Sequence, residues 1–178
     1  MSLTITEALA EIKTIGKRLE SKRASVAQYL ARQDMVRDPM EKEGGSQQFI
    51  QRERQAIGDL GERIVTLRRG IQRANDETTL TVGETARTIS EWLVWRRDVA
   101  PGDQKFLTTL RGGINNIRTQ AHNQKANVVQ SGVPAQPTDV IINISEADLA
   151  REIEDMEDVL GTLDGRLSLV NATTQIKE

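Results

Sequence analysis

A chain of 178 residues with 37% hydrophobic and only 3% aromatic residues can fill one sizeable domain, or two small halves sharing a core. The absence of cysteine excludes disulfides, thiolate zinc sites and a cysteine nucleophile. A formal net charge of −2 gives no global bias toward nucleic acid or anionic lipid, so any electrostatic function must come from local segregation of charge. With so few rings and 28% charged residues, the core must consist of Leu, Ile, Val and Ala stripes, which predicts an all-α fold. No stretch approaches the roughly 20 apolar residues that cross a bilayer, and no basic segment followed by an apolar run opens the chain. The expectation is a protein without signal peptide or transmembrane segment, cytoplasmic or virion-associated.

In chain order, Thr4 and Glu7 predict a capping box, in which hydroxyl and carboxylate satisfy free backbone amides reciprocally. Leu9, Ile12, Leu19, Val26 and Leu30 then trace one helical face, widened by Ala8 and Ile15. Asp38 before Pro39, with Gly44 and Gly45 closing, marks a loop between two antiparallel helices. The second helix, residues 46–74, carries apolar residues at 50, 57, 60, 64, 67, 71 and 74, a heptad stripe broken only by Glu53. Its Gly58, Gly61 and Gly70 point either to tolerance inside a long packed helix or to close approach of a neighbour. A second capping box is expected at Thr81 and Glu84. The helix that follows is expected to stop at Pro101 and Gly102, with Asp103 capping a continuation through Phe106, Leu107, Leu110, Ile114, Ile117 and Ala121. Gly132, Pro134 and Pro137 mark a loop, and Val140 to Ile144 is a short β-prone run. Ser145 caps the last helix, whose stripe runs from Leu149 to Val170.

The chain repeats itself. Ile57, Leu60, Ile64, Leu67, Ile71 and Ala74 recur at an offset of 96 as Ile153, Met156, Leu160, Leu163, Leu167 and Val170. Asn75, Thr78 and Leu80 recur as Asn171, Thr174 and Ile176. Leu3, Thr4, Ile5, Glu7 and Ile12 recur at an offset of 77 as Leu80, Thr81, Val82, Glu84 and Ile89. The predicted architecture is therefore one helical domain, residues 1–178. It comprises two tandem helical hairpins, 3–79 and 80–176, the second with a loop insertion over 127–144, forming an antiparallel coiled-coil-like bundle with short β segments at the helix bases. Asn at the end of each copy, tolerant of left-handed backbone, is read as a helix stop. Leu3 to Ile5, Thr79 to Val82 and Thr173 to Ile176 are candidates for a small closing sheet.

The two equivalent heptad helices differ in charge. Residues 46–74 hold six Arg against three acids, net +3, while residues 145–170 hold eight acids against two Arg, net −6. Such helices suit each other, within one chain or across a dimer, and charge would set which helix pairs with which. Arg52, Arg54, Arg63, Arg68, Arg69 and Arg73 offer phosphate contacts too, but neither a groove-reading motif nor aromatic platforms accompany them.

No catalytic, cofactor-binding or metal-ligating residue is identified. His122 is the lone histidine, with no second His or Cys to complete a zinc or haem site. Glu154, Asp155, Glu157 and Asp158 lack the glycine-containing loop of an EF-hand and read as a solvated face. Gly112 and Gly113 are not followed by the Lys and Ser or Thr of a phosphate loop. Trp92 and Trp95, three apart, read as core or interface packing.

At Ile71, Asn75, Thr78, Leu80 and Glu84, again at Leu167, Asn171, Thr173, Thr174 and Ile176, and at the opening Thr6, Glu7, Ala8, Leu9, the chain resembles the septicolysin-like family of mainly bacterial proteins. Ala172 stands where that family has an aromatic, and Thr85 and Ala86 only partly replace its run of Glu, Ala, Leu, Ala. The resemblance implies a helical fold, no defined mechanism, and, through the cytolysin-like name, membrane activity. The expected function is thus a non-enzymatic helical assembly protein, homo-oligomeric, in contact with other proteins of a larger structure such as a phage virion. Membrane-active cytolysin-like and nucleic-acid-binding roles are the alternatives.

Overall fold

The computed structural model describes residues 2–131 and 140–177, and the chain is mostly helical, at 76%, with one short two-stranded sheet. It divides into two compact units, Met1–Thr79 with Leu167–Glu178, and Leu80–Arg166. Part of the predicted loop insertion, residues 132–139 with Gly132, Pro134 and Pro137, lies outside the described residues.

In the first unit, helix α1 (Ile5–Gln28) opens on the expected box: Thr4 Oγ1 accepts from the Glu7 amide at 3.2 Å, and Glu7 Oε2 accepts from the Thr4 amide at 2.8 Å. That carboxyl is held below its ordinary range by the hydrogen bonds from Thr4. Helix α1 ends before Leu30, which is exposed in the connecting loop. Asp38 organises that loop, accepting from Ser46 Oγ at 2.6 Å, the Ser46 amide at 2.9 Å and the Met40 amide at 2.9 Å. Gly44 and Gly45 close it with φ of 92° and 91°, a backbone that L side chains rarely adopt.

Helix α2 (Ser46–Glu77) then runs antiparallel to α1, shown by the pairing of Lys22 with Glu53 at 2.9 Å and of Glu11 with Arg63 at 2.8 Å. Glu53, the break in the heptad stripe, is thus the partner of Lys22. The two helices share a core of Ile5, Ala8, Ile15, Leu19, Leu67, Ile71 and Ala74, with Ile176 from the C-terminal segment. Tyr29 and Phe49 close the loop end edge to face, centroids 5.3 Å apart. At the other end Thr4 bridges Gln175 antiparallel, and the Ile176 amide donates to the Leu3 carbonyl at 2.8 Å. Two of the three expected β segments therefore meet. The third, strand β1 (Thr79–Val82), pairs instead with β2 (Thr85–Thr88) in a hairpin turned at Gly83, φ 57°.

That hairpin overturns the expected capping box at Thr81 and Glu84. The box lies seven residues further on, at Thr88 and Glu91, where the Thr88 amide donates to Glu91 Oε2 at 2.8 Å. Helix α3 (Ile89–Val94) begins there. It does not stop at Pro101: a π-helical turn over Trp95–Val99 carries it directly into α4 (Ala100–Ser131). Pro101 has no amide for the Arg97 carbonyl and its ring crowds that carbonyl, and the wider turn, in which the Ala100 amide donates to the Trp95 carbonyl, immediately precedes it.

Ser145 caps the last helix, α5 (Glu146–Thr173), accepting from the Asp148 amide at 3.3 Å. Within the second unit α5 runs antiparallel to the π turn and α4, as the Arg118 pair with Glu146 and the 3.0 Å Arg96 pair with Asp164 show. Leu107, Ile114 and Leu149 form their core, flanked by Leu110, Ile142, Ile153 and Met156. Val140 to Ile144 makes no strand. Neither Asn ends a helix in left-handed backbone, since no residue other than glycine has positive φ among those described. Asn75 lies instead inside the last turns of α2, buried, with its side-chain oxygen unpartnered.

Candidate functional site

The most developed surface feature lies in the second unit, where the π turn and α4 meet α5. Trp92 is buried at 2% exposure and donates its indole N–H to the Leu80 carbonyl at 2.8 Å. Arg87 covers its ring, guanidinium carbon 4.9 Å from the centroid. Trp95, one helical turn on, meets Trp92 edge to face with centroids 5.5 Å apart and an interplanar angle of 86°. A buried, hydrogen-bonded ring therefore braces a half-buried one, and the π turn that begins at Trp95 sets its direction.

Trp95 forms one wall of a groove of about 420 Å³, continued by Phe106, Leu107, Met156 and Val159. Phe106 is 61% exposed there. Asp103, Glu152 and Asp155 stand on the rim, and none of the three has an ion pair or hydrogen bond among the described residues. A second groove of about 370 Å³ shares Leu107 and Met156 and adds Gln104, Lys105, Thr108 and Glu157. Apolar side chains lined up with carboxylates match partner side chains that combine an apolar stem with a positive head.

Trp92 belongs to the core, and Trp95 to the groove. His122 is exposed on α4, away from the groove residues in sequence and with no described partner. Glu154, Asp155, Glu157 and Asp158 are all exposed on α5. On α2, Arg63 pairs with Glu11 and Arg52 with Glu43 at 3.3 Å, while Arg54, Arg68, Arg69 and Arg73 are exposed without an ion pair among the described residues. No group of three or more His, Asp or Glu is arranged to hold a metal ion among the described residues. Among them, too, no helix is long and apolar enough to cross a membrane.

Sequence reasoning missed the groove. Phe106 fits the helical stripe as well as Leu107 does, but Leu107 and Ile114 turn inward with Leu110 half-buried beside them, leaving Phe106 and Ile117 exposed at 61% and 44%. The available signal was the width of the stripe, which is broader than one packing partner covers. The chain matches no protein-family model, no curated protein and no solved structure.

Proposed function

We propose that this chain is a non-enzymatic helical assembly protein that associates with itself and with other proteins of a larger structure. The observation that carries the reading is the groove: braced aromatic side chains and a 61% exposed Phe106 form an apolar surface beside carboxylates that have no ion pair among the described residues. Such patches mark protein interaction sites. A phage virion component is the specific form of the reading, tested by mass spectrometry of purified particles.

The proposal includes the architecture of two repeated hairpins, 3–79 and 80–176, in one antiparallel coiled-coil-like domain. Equivalent positions support it by their burial: Leu67 and Leu163 are both at 0%, Ile71 and Leu167 at 8% and 5%, Leu80 and Ile176 at 7% and 2%. Packing constraints shared at that level are what two copies of one unit would retain while their surfaces diverge.

Sedimentation equilibrium on the full chain tests the function. Concentration-dependent association in the micromolar range is expected. A chain that stays monomeric to about 100 µM, weaker than ordinary specific interfaces, would remove the self-association on which the reading rests.

A further inference from the structure

We infer that the groove between α4 and α5 receives the arginine-bearing face of α2 from a second copy of this chain. The inference rests on the assembly reading and names the two surfaces that would meet.

The groove selects its occupant by charge. Between residues 152 and 158 helix α5 carries Glu152, Glu154, Asp155, Glu157 and Asp158, none ion-paired among the described residues. Like charges three and four apart repel along a helix, so this stretch is destabilised until a cation approaches. The apolar walls at Trp95, Phe106 and Met156 narrow the choice further. Arginine suits them better than lysine, because its stem lies along apolar surface while its planar head stacks on aromatic faces and bonds carboxylates in a fork.

Helix α2 presents the complement. Val65, Arg69 and Arg73 recur every four residues and share one exposed stripe, Val65 being 50% exposed. Arg69 and Arg73 stand one helical turn apart, as do Glu152 and Asp155 on the groove rim, so two ion pairs can form in register while Val65 adds an apolar contact. Neither arginine has an ion pair among the described residues, and the opposite face of α2 is committed to α1 through Leu67, Ile71 and Ala74. A contact between two different faces closes a two-fold dimer where it is made reciprocally, and otherwise propagates into a ring or a filament.

Two charge-reversed full-length chains test the pairing, Arg69→Glu with Arg73→Glu, and Glu152→Arg with Asp155→Arg, each confirmed as folded by circular dichroism. Sedimentation is expected to show each alone associating at least about tenfold more weakly than the parent chain, whose own association weakens with salt. Mixing the two is expected to restore association, since each then carries what the other's altered face requires. Unchanged association of both variants in an oligomeric parent overturns the pairing and leaves the assembly reading standing. Loss without recovery on mixing overturns it as well, because contacts made within one chain are not rescued in trans. A monomeric parent overturns both readings and leaves the groove to a basic segment of another protein. Should a reversal unfold the chain, Arg69→Gln with Arg73→Gln and Glu152→Gln with Asp155→Gln carry the same test, with weakened association expected from each; unchanged association of both overturns the pairing.

Discussion

Trp92 and Trp95 differ in position by one helical turn and in environment by almost everything else. The indole N–H of Trp92 donates to the Leu80 carbonyl of β1 in a buried setting. Trp92→Phe keeps most of the apolar volume but removes that hydrogen bond, so a loss of about 0.5 to 1.5 kcal/mol is expected in urea denaturation. Trp95→Phe, at the groove wall, is expected to change stability by less than about 1 kcal/mol. Asp38 sets a pH dependence. Hydrogen bonds from the Ser46 hydroxyl, the Ser46 amide and the Met40 amide lower its carboxyl from 3.8 to about 2. Because the folded value lies below the unfolded one, its stabilising effect is complete above about pH 4 and is lost as pH falls toward 2. Amide exchange at Ser46 is expected to accelerate across that window in the parent chain, and to be fast but nearly pH-independent, after correction for intrinsic exchange, in Asp38→Ala.

At the level of elements, α2 shows why glycine positions carry different weight. A Cβ on Gly70 would lie 3.1 Å from the Lys177 carbonyl oxygen and 3.3 Å from Ile176 Cδ1, whereas at Gly58 and Gly61 it would meet nothing within 4 Å. Gly58→Ala and Gly61→Ala are therefore expected to raise stability by up to about 1 kcal/mol each, through helix propensity alone. Gly70→Ala gains the same propensity but displaces backbone, so its thermal midpoint should fall and the Ile176 amide should lose exchange protection. A rise in the Gly70→Ala midpoint would show that the C-terminal segment gives way freely. Both readings of these glycines were open in the sequence; close approach is a property of what packs against a helix. The π turn has the same origin. Pro101 announces a disturbance legibly, but whether a helix stops or widens depends on what surrounds the next turn, here the seam of α4 with α5.

For the whole molecule, charge decides more than hydrophobicity does. The apolar stripes of α1 and α2 are spent on each other, and their outer faces are dense in ions, which disfavours burial of either helix in a bilayer interface. Micromolar protein is accordingly expected to release no dye from anionic vesicles; rapid release would favour the cytolysin-like alternative over assembly. The helical class, the Thr4 box, the Asp38 turn with its two glycines and the α1–α2 seam were determined by the sequence itself, because each depends on contacts within a few residues or on a periodicity that local geometry enforces. Tertiary structure alone decided that Thr79 to Val82 pairs with Thr85 to Thr88 and moves the second box by seven residues. It also decided that Asn75 is buried within α2, and that Phe106 stays outside while Leu107 goes in. In each of those cases the residue pattern fits more than one arrangement, and packing against other segments made the choice.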